Sequence, residues 1–314
     1  MKERVAVAYV IISICFVIVY PLHCEEPHQA NILIDESLKI GEMERTFSAY
    51  IPSGELSSPE LIIALHGSMG TGKQMQEMSA YQFDRLADQK KCIVIYPDGY
   101  KKNWNDCRKV PKDDAHTKNI DDVRFIAKLI EMCCSKWHVN PKKVYAVGFS
   151  NGGHMCFRLA IEIPDKLTGI AVIGASMPAP EVSKCSPAHK NVAVMIVNGT
   201  ADPINPFDGG MVRLFFVFSK GEVISSTESA KAWLKTEELG GQLISEQLED
   251  RDPSDQTRIE RLSWPSSKVC LYIVHNGGHT IPGGKQYLPM FLVGRVSRDI
   301  NMAEEAWRFF HLKP

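Results

Sequence analysis

The chain has 314 residues, of which 44% are hydrophobic, and its formal net charge is −1 at pH 7. A chain of this size and apolar content can bury one large core, and no Pro/Gly/Ser-rich linker or internal repeat divides it. The near-neutral charge supplies no long-range field that would gather nucleic acid or an anionic membrane surface. We therefore expect a single domain over residues 30–314 and no nucleic-acid partner.

The first residues have the pattern of a targeting segment. Lys2 and Arg4 precede an apolar run over residues 5–20, and Pro21 ends that run. This arrangement is typical of a secretory signal peptide, which predicts that residues 1–24 are removed and that the protein is secreted or periplasmic. The alternative is an uncleaved anchor that tethers the protein to a membrane, because a membrane span needs only about 20 apolar residues.

From about residue 30, short apolar strands alternate with amphipathic helices, which is typical of a mostly parallel central sheet with helices on both faces. The predicted strands are 45–51, 61–65, 92–96, 144–147, 169–173, 192–197 and 269–274. The predicted helices are 75–89, 120–137, 155–163, 226–239 and 302–310. Because nearly every strand is apolar throughout, the sheet is expected to be buried on both faces. Functional side chains are then expected in the loops after the carboxyl ends of the strands.

His66, Gly67 and Ser68 follow the strand predicted at 61–65. A His-Gly loop in this position supplies one backbone donor to the oxyanion hole of many serine hydrolases, so the N–H of Ser68 is the expected donor. The dipeptide is a weak signal by itself, because an ordinary strand-to-loop turn has the same composition. His66 is either a structural histidine or part of the pocket lining.

A Gly-x-Ser-x-Gly pattern separates the strand predicted at 144–147 from the following helix. Its glycines are Gly148 and Gly152, with Ser150 between them. This is the pattern of a nucleophile elbow, in which a sharp turn holds a serine hydroxyl out at the edge of the sheet. Ser150 is therefore the predicted nucleophile, and the backbone N–H of Asn151 is the second expected oxyanion donor.

A serine nucleophile needs a base and an acid that orients the base, and both have candidates further along the chain. Asp202 lies in the loop after the strand predicted at 192–197, and His279 lies in a glycine-rich loop after the last predicted strand. The order Ser, Asp, His is the one that this architecture uses. Asp208 is the alternative acid and His275 the alternative base.

The chain contains nine cysteines, which are consistent with an oxidising compartment. Five of them are disulfide candidates whose pairing the sequence does not determine: Cys107, Cys133, Cys134, Cys156 and Cys185. Cys92 and Cys270 lie in apolar strand-like runs, where a thiol behaves as a small hydrophobic group. The sequence has neither a CxxC pair nor a metal-ligand spacing, so we expect no metal.

With these residues placed, the chain resembles the polyhydroxybutyrate depolymerase and feruloyl/acetylxylan esterase group of the α/β-hydrolases. The resemblance rests on short motifs at 65–67, 96–99, 104–106, 121–123, 148–153, 199–203 and 277–283. It implies an α/β-hydrolase fold, a mostly parallel central sheet with helices on both faces. It also implies cofactor-free hydrolysis of an ester, with Ser150 as nucleophile, Asp202 as acid and His279 as base.

Two positions depart from the pattern of that group. Ile281 stands where the group commonly has a tryptophan, and Ser68 stands where its loop commonly has a cysteine. The missing indole is expected to alter how an aromatic or polymeric substrate is held, so Ile281 is considered as pocket lining. The motifs at 96–99, 104–106 and 121–123 could also line the pocket, so Trp104 is considered as well. For the motif at 104–106 the alternative is structural, because buried polar side chains often pin a long loop through hydrogen bonds to the backbone.

These observations predict a secreted serine esterase that acts without a cofactor on a small, oligomeric or polymeric ester. Two alternatives stay open. The same residues could cleave amides, which would make the protein a serine peptidase, or the fold could serve a binding protein without catalysis. No separate substrate-binding domain is evident, so attack on solid polyester is not expected.

Overall fold

The computed structural model describes residues 32–110, 113–185, 191–214, 218–264 and 267–312. The predicted signal peptide or anchor at 1–24 lies outside these residues. Within the described ranges, none of the helices combines the length and the apolar character that a bilayer crossing requires.

The described strands are numbered here in chain order. They are β1 (Ile32–Ile40), β2 (Met43–Ile51), β3 (Leu61–Leu65), β4 (Ile93–Pro97), β5 (Val144–Phe149), β6 (Gly169–Ile173), β7 (Ala193–Gly199), β8 (Gly210–Leu214), β9 (Phe218–Val223), β10 (Ile244–Gln247), β11 (Arg258–Ser263) and β12 (Val269–His275). One 10-stranded sheet has the order β1-β2-β4-β3-β5-β6-β7-β12-β11-β10, and β8 pairs with β9 as a separate hairpin.

The centre of the sheet is parallel and its edges are antiparallel. Strands β4, β3, β5, β6, β7 and β12 run in the same direction. Strands β1 and β2 at one edge, and β11 and β10 at the other, pair antiparallel. The carboxyl ends of the parallel strands therefore meet at one rim, where the loops after β3, β5, β7 and β12 lie together.

The helices connect and cover the strands. They are α1 (Gly72–Met78), α2 (Gln82–Lys90), α3 (Asp114–Thr117), α4 (Asp122–Trp137), α5 (Asn151–Glu162), α6 (Ser226–Lys231), α7 (Thr236–Leu239), α8 (Met290–Val293) and α9 (Met302–Phe310). Short 3₁₀ helices occur at Pro164–Lys166, Pro180–Val182 and Pro253–Asp255.

Strand β3 shows how the sheet separates two apolar layers. Leu61 and Ile63 belong to the core cluster that contains Phe157 of α5, whereas Ile62 belongs to the cluster that contains Phe83 of α2. Successive side chains of a strand point to opposite faces, so helices must cover both. This arrangement confirms the expected α/β-hydrolase fold class. Each fully buried large apolar side chain stabilises the fold by about 1.5–3 kcal/mol.

Several elements differ from the sequence predictions. The helix predicted at 75–89 is divided into α1 and α2, because Ala80 and Tyr81 have left-handed backbone angles (φ 52° and 58°) that interrupt an α-helix. The helix predicted at 226–239 is likewise divided into α6 and α7. Strands β1 and β8 to β11 were not predicted. Strand β10 is exposed along its whole length, so it has no apolar run to reveal it.

One disulfide is present among the described residues, and it joins Cys107 to Cys185. The other three candidates, Cys133, Cys134 and Cys156, are free thiols. Cys92 and Cys270 are free and buried. The disulfide connects the loop after β4 to the loop after β6, which are 78 residues apart in the sequence.

Candidate active site

Ser150 occupies a strained turn between β5 and α5. Its backbone angles are φ 54° and ψ −117°, a combination that residues with a side chain rarely adopt and that costs about 1–3 kcal/mol. A Cβ at Gly148 would lie 2.2 Å from the carbonyl oxygen of Gly152, and a Cβ at Gly152 would lie 2.3 Å from that of Leu65. The Ser150 N–H donates to the Ile173 carbonyl of β6 at 2.8 Å. This local geometry is that of a nucleophile elbow.

His279 and Asp202 are in direct contact at the ends of β12 and β7. Nδ1 of His279 lies 2.7 Å from Oδ2 of Asp202, and both side chains are buried. The other oxygen of Asp202 accepts the backbone N–H groups of Ile204 and Asn205 at 2.7 and 2.8 Å. Because a carboxylate only accepts, Nδ1 carries the proton and Nε2 is left free to act as a base.

Ser150 and His279 line the same cavity, which has a volume of about 450 Å³. The ring of Phe149 packs against the His279 imidazole with centroids 4.8 Å apart. Among the described residues, no hydrogen bond joins the Ser150 hydroxyl to the His279 ring. A hydrogen bond between a nucleophile and its base often tightens only in the complex with substrate, so the shared cavity is the relevant observation.

The loop after β3 is held by the buried His66 side chain. Nδ1 of His66 lies 2.7 Å from the Gly67 carbonyl, and Nε2 accepts the Gly99 N–H at 2.9 Å. Burial lowers the pKa of His66 to about 4, so the ring is neutral near pH 7. His66 and Ser68 both line the cavity. Within the described part of the chain, the backbone N–H groups of Ser68 and Asn151 donate no hydrogen bond. Ser68 lines the cavity, whereas Asn151 is buried and follows Ser150 at the start of α5.

Two residues considered as pocket lining lie elsewhere. Trp104 is fully buried and absent from the cavity wall, and its indole N–H donates to the His66 carbonyl at 2.9 Å. Ile281 is 2% exposed and packs in the core layer that contains Phe83 and Met302. Neither side chain is therefore among those that line the cavity in the structure. His66 is the one of the three that reaches the cavity.

The alternative acid and base are not placed for catalysis. The side chain of His275 is 46% exposed, and its Nε2 lies 3.0 Å from Oε2 of Glu260. Asp208 is exposed, and none of the described hydrogen bonds joins it to a histidine. The geometry favours the pair Asp202 and His279.

Comparison with known proteins agrees with the fold. A family model described as the alpha/beta hydrolase fold matches residues 60–216. The protein named "Putative esterase NocK" from Nocardia uniformis subsp. tsuyamanensis is 30% identical over 288 residues, which cover 84% of this chain and 78% of that protein. The chain belongs to the α/β-hydrolase family.

Other relatives of this α/β-hydrolase are also esterases by name. Feruloyl esterase B of Piromyces equi is 26% identical over 238 residues, which cover 74% of this chain but only 41% of that protein. The solved acetyl xylan esterase from Aspergillus awamori superimposes with a TM-score of 0.57 at 17% identity, covering 85% of this chain and 93% of that one. This structural likeness shows the shared fold.

Sequence reasoning missed most of the cavity wall of this α/β-hydrolase. Helix α1 contributes Met75 and Met78, and the loop after His279 contributes Lys285 and Tyr287. The Tyr287 hydroxyl donates to the His279 carbonyl at 3.1 Å, so this side chain also steadies the histidine loop. The sequence signal for these residues is their proximity to predicted site residues. Helix α1 follows the loop that contains His66, and Lys285 and Tyr287 lie in the segment that follows His279.

Proposed function

We propose that this α/β-hydrolase is a serine carboxylic ester hydrolase that works through Ser150, His279 and Asp202. The observation that carries the proposal is the 2.7 Å contact between Nδ1 of His279 and Oδ2 of Asp202, in the same cavity as a serine on a strained elbow. A buried carboxylate that orients an imidazole beside a serine is the arrangement that activates the serine hydroxyl for attack on a carbonyl.

The proposed reaction has two displacements. His279 Nε2 accepts the Ser150 proton while the serine oxygen attacks the ester carbonyl, and the N–H groups of Ser68 and Asn151 stabilise the oxyanion. His279 then protonates the leaving alcohol, which leaves an acyl group on Ser150. Water, deprotonated by His279, attacks this acyl-enzyme and releases the acid. These steps need neither a metal nor a cofactor.

The cavity wall suggests the kind of acyl group. Met69, Met75 and Met78 provide flexible, polarisable thioethers, and Leu214 and Leu288 add aliphatic surface. This part of the wall suits an apolar or aromatic acyl chain. We propose hydroxyalkanoate oligomers or acyl and feruloyl esters as substrates, on the support of the sequence resemblance to the polyhydroxybutyrate depolymerase and feruloyl/acetylxylan esterase group.

A substrate panel tests the proposal. The panel contains p-nitrophenyl acetate and butyrate, methyl ferulate, acetylated xylan, 3-hydroxybutyrate oligomers and peptide p-nitroanilides. We expect hydrolysis of at least one class of ester, with kcat/KM for anilides lower by orders of magnitude. Preferential cleavage of anilides would identify a peptidase instead. Failure to cleave any member, with no acyl adduct on Ser150, would favour a binding protein.

We also propose that the protein is exported. The support is the cationic start followed by the apolar run at 5–20. N-terminal sequencing of the mature protein should begin near residue 25, in a secreted or periplasmic fraction. A membrane fraction whose protein retains residues 1–24 would instead identify the tethered form.

A further inference from the structure

The side chain of Asn151 is held on three sides. Its Oδ1 accepts the Trp104 N–H at 2.8 Å, and its Nδ2 donates to the Trp104 carbonyl at 3.0 Å and to Oδ2 of Asp106 at 2.7 Å. Asn151 is 2% exposed and begins helix α5, directly after Ser150. These contacts fix the orientation of the first peptide unit of the helix, which carries the N–H that we assign to the oxyanion hole.

Asp106 is a buried charge with several partners. Its carboxylate accepts the Arg108 guanidinium at 2.6 Å and the Arg108 backbone N–H at 2.8 Å, and His116 Nε2 lies 3.2 Å away. Burial opposes the charge, but Arg108 and His116 outweigh it and hold the pKa of the Asp106 carboxyl well below its usual range. Asp106 is therefore ionised, and the hydrogen bond that Asn151 donates to it is charge-assisted.

The partners of Asp106 are themselves anchored. His116 also lies 3.4 Å from Asp113, and Asp113 pairs with Lys220 of β9 at 3.3 Å. Cys107, next to Asp106, is joined to Cys185. Because these contacts restrain Asp106 from several elements, it can act as a fixed point for the Asn151 side chain.

We infer that Asp106 is a positioning residue for the proposed oxyanion hole. By fixing the Asn151 side chain, it holds the Asn151 N–H in the direction that the oxyanion requires. Asp106 does not line the cavity and touches no reacting atom, so it acts only through Asn151. The inference rests on the proposed function, since it concerns the same transition state.

The Asp106→Asn variant removes the charge and one acceptor while it keeps the shape. A single amide oxygen cannot serve Arg108, His116 and Asn151 together, so the clamp on Asn151 loosens. Removing an oxyanion donor outright costs about 100- to 1000-fold in kcat, and we expect about 10- to 100-fold for a misdirected one. KM for a soluble ester should change by less than about 2-fold, because the donor acts mainly in the transition state.

Asp122→Asn is the matched control. Asp122 is also a buried carboxylate of this region, bound to Arg45 at 2.7 Å and to the Asn105 N–H at 2.7 Å, and it makes no described contact with Asn151. Both variants should lower Tm, because each loses a buried ionic hydrogen bond. Only Asp106→Asn should weaken inhibition by a trifluoromethyl ketone. Ser150 adds to the carbonyl of this inhibitor, and the adduct carries an oxyanion.

The experiment measures Tm, kcat, KM and the inhibition constant Ki of the trifluoromethyl ketone for wild type and both variants. The inference predicts that Ki rises in Asp106→Asn by the same factor by which kcat falls, with Ki nearly unchanged in Asp122→Asn. A purely structural Asp106 would lower Tm and leave the ratio of Ki to KM unchanged in both, which would overturn the inference. Equal increases of Ki in both variants would overturn it as well.

The single variant Asn151→Ala covers the case in which Asp106→Asn folds poorly, and a double-mutant cycle is added where both variants fold. Asn151→Ala keeps the backbone N–H and leaves Asp106 its partners Arg108 and His116. We expect Asn151→Ala to raise Ki as Asp106→Asn does, and the double variant to add little further. Additive effects, or an unchanged Ki in Asn151→Ala, would contradict the inference. Should wild type and Ser150→Ala hydrolyse esters equally, the proposed function fails separately.

Discussion

Two buried carboxylates of this α/β-hydrolase have different partners. Asp202 contacts two backbone N–H groups and the His279 imidazole, which lines the cavity. Asp106 contacts a guanidinium, a second imidazole and the Asn151 amide, and it lies behind the cavity. Both are inaccessible to solvent, so burial alone does not distinguish an acid that orients a base from one that orients an oxyanion donor.

The partners of each carboxylate indicate its role. Asp202 has no described cation beside it other than a histidine that can receive a proton, which suits a group that stabilises a transient imidazolium. Asp106 pairs with Arg108, whose charge is permanent, so Asp106 stays ionised through a reaction cycle. Asp202 should therefore affect proton transfer, and Asp106 should affect only the stabilisation of the oxyanion.

The largest expected effect comes from Ser150, because both carboxylates are proposed to support the reaction of its hydroxyl. Replacement of Ser150 by Ala removes the nucleophile, and kcat for a p-nitrophenyl ester should fall by about a millionfold. In this background, replacing Asp202 should have little further effect on kcat, because the triad acts as a unit. Stopped assays at a high enzyme concentration measure the residual activity. A Ser150→Ala variant whose kcat is within about 10-fold of the wild-type value would show that Ser150 is not the nucleophile.

The Asp202→Asn variant tests whether Asp202 orients His279, the proposed base. An asparagine can favour the wrong tautomer of His279, so kcat should fall by about 10⁴-fold with little change in Tm. Asp208→Asn, at the exposed alternative acid, is the control and should retain wild-type kcat. If the two variants had equal activity, Asp202 would not be the acid.

The Cys107–Cys185 disulfide lies next to Asp106 and restrains the loop that carries the Asp106 carboxylate. Replacing Cys107 and Cys185 together by serine should lower the free energy of unfolding by about 2–4 kcal/mol, because the unfolded chain loses a cross-link. Urea denaturation measures the change, and Cys134→Ser at a free, half-buried thiol is the control. A double variant with the wild-type free energy of unfolding would show that the disulfide does not stabilise the fold.

A smaller, pH-dependent effect is expected from His66, which supports the Ser68 loop. Its pKa is about 4 in the folded protein and about 6.5 when unfolded, so the unfolded chain binds more protons between these values. Stability contributed by His66 is present above about pH 6.5 and is lost as pH falls toward 4, by about 3 kcal/mol in total. Denaturation at pH 7, 5.5 and 4 should show a weaker decline in His66→Gln than in wild type, and parallel declines would contradict this.

The parallel centre of the fold and the proposed catalytic residues could be predicted from local sequence. Ser150, Asp202 and His279 each follow a short apolar strand. Because the carboxyl ends of parallel strands lie at one edge of a sheet, these residues are expected to lie close together. The glycines around Ser150 add a second local signal, since their neighbours leave no room for a Cβ.

The rest of the site depends on contacts that have no local pattern. Asp106 and Asn151 are 45 residues apart, and neither position shows in the sequence that it faces the other. Trp104 was considered as pocket lining, but its indole N–H donates to the His66 carbonyl instead. The edge strands escaped prediction because exposed strands such as β10 lack a continuous apolar run.

Covalent labelling tests the central claim most directly. Wild-type protein is treated with a fluorophosphonate, and the modified residue is located by mass spectrometry of proteolytic peptides. Our account predicts one phosphonyl group on Ser150, full loss of esterase activity, and labelling slowed by orders of magnitude in Asp202→Asn. Labelling of a different serine with loss of activity, or esterase activity that persists after Ser150 is fully modified, would contradict it.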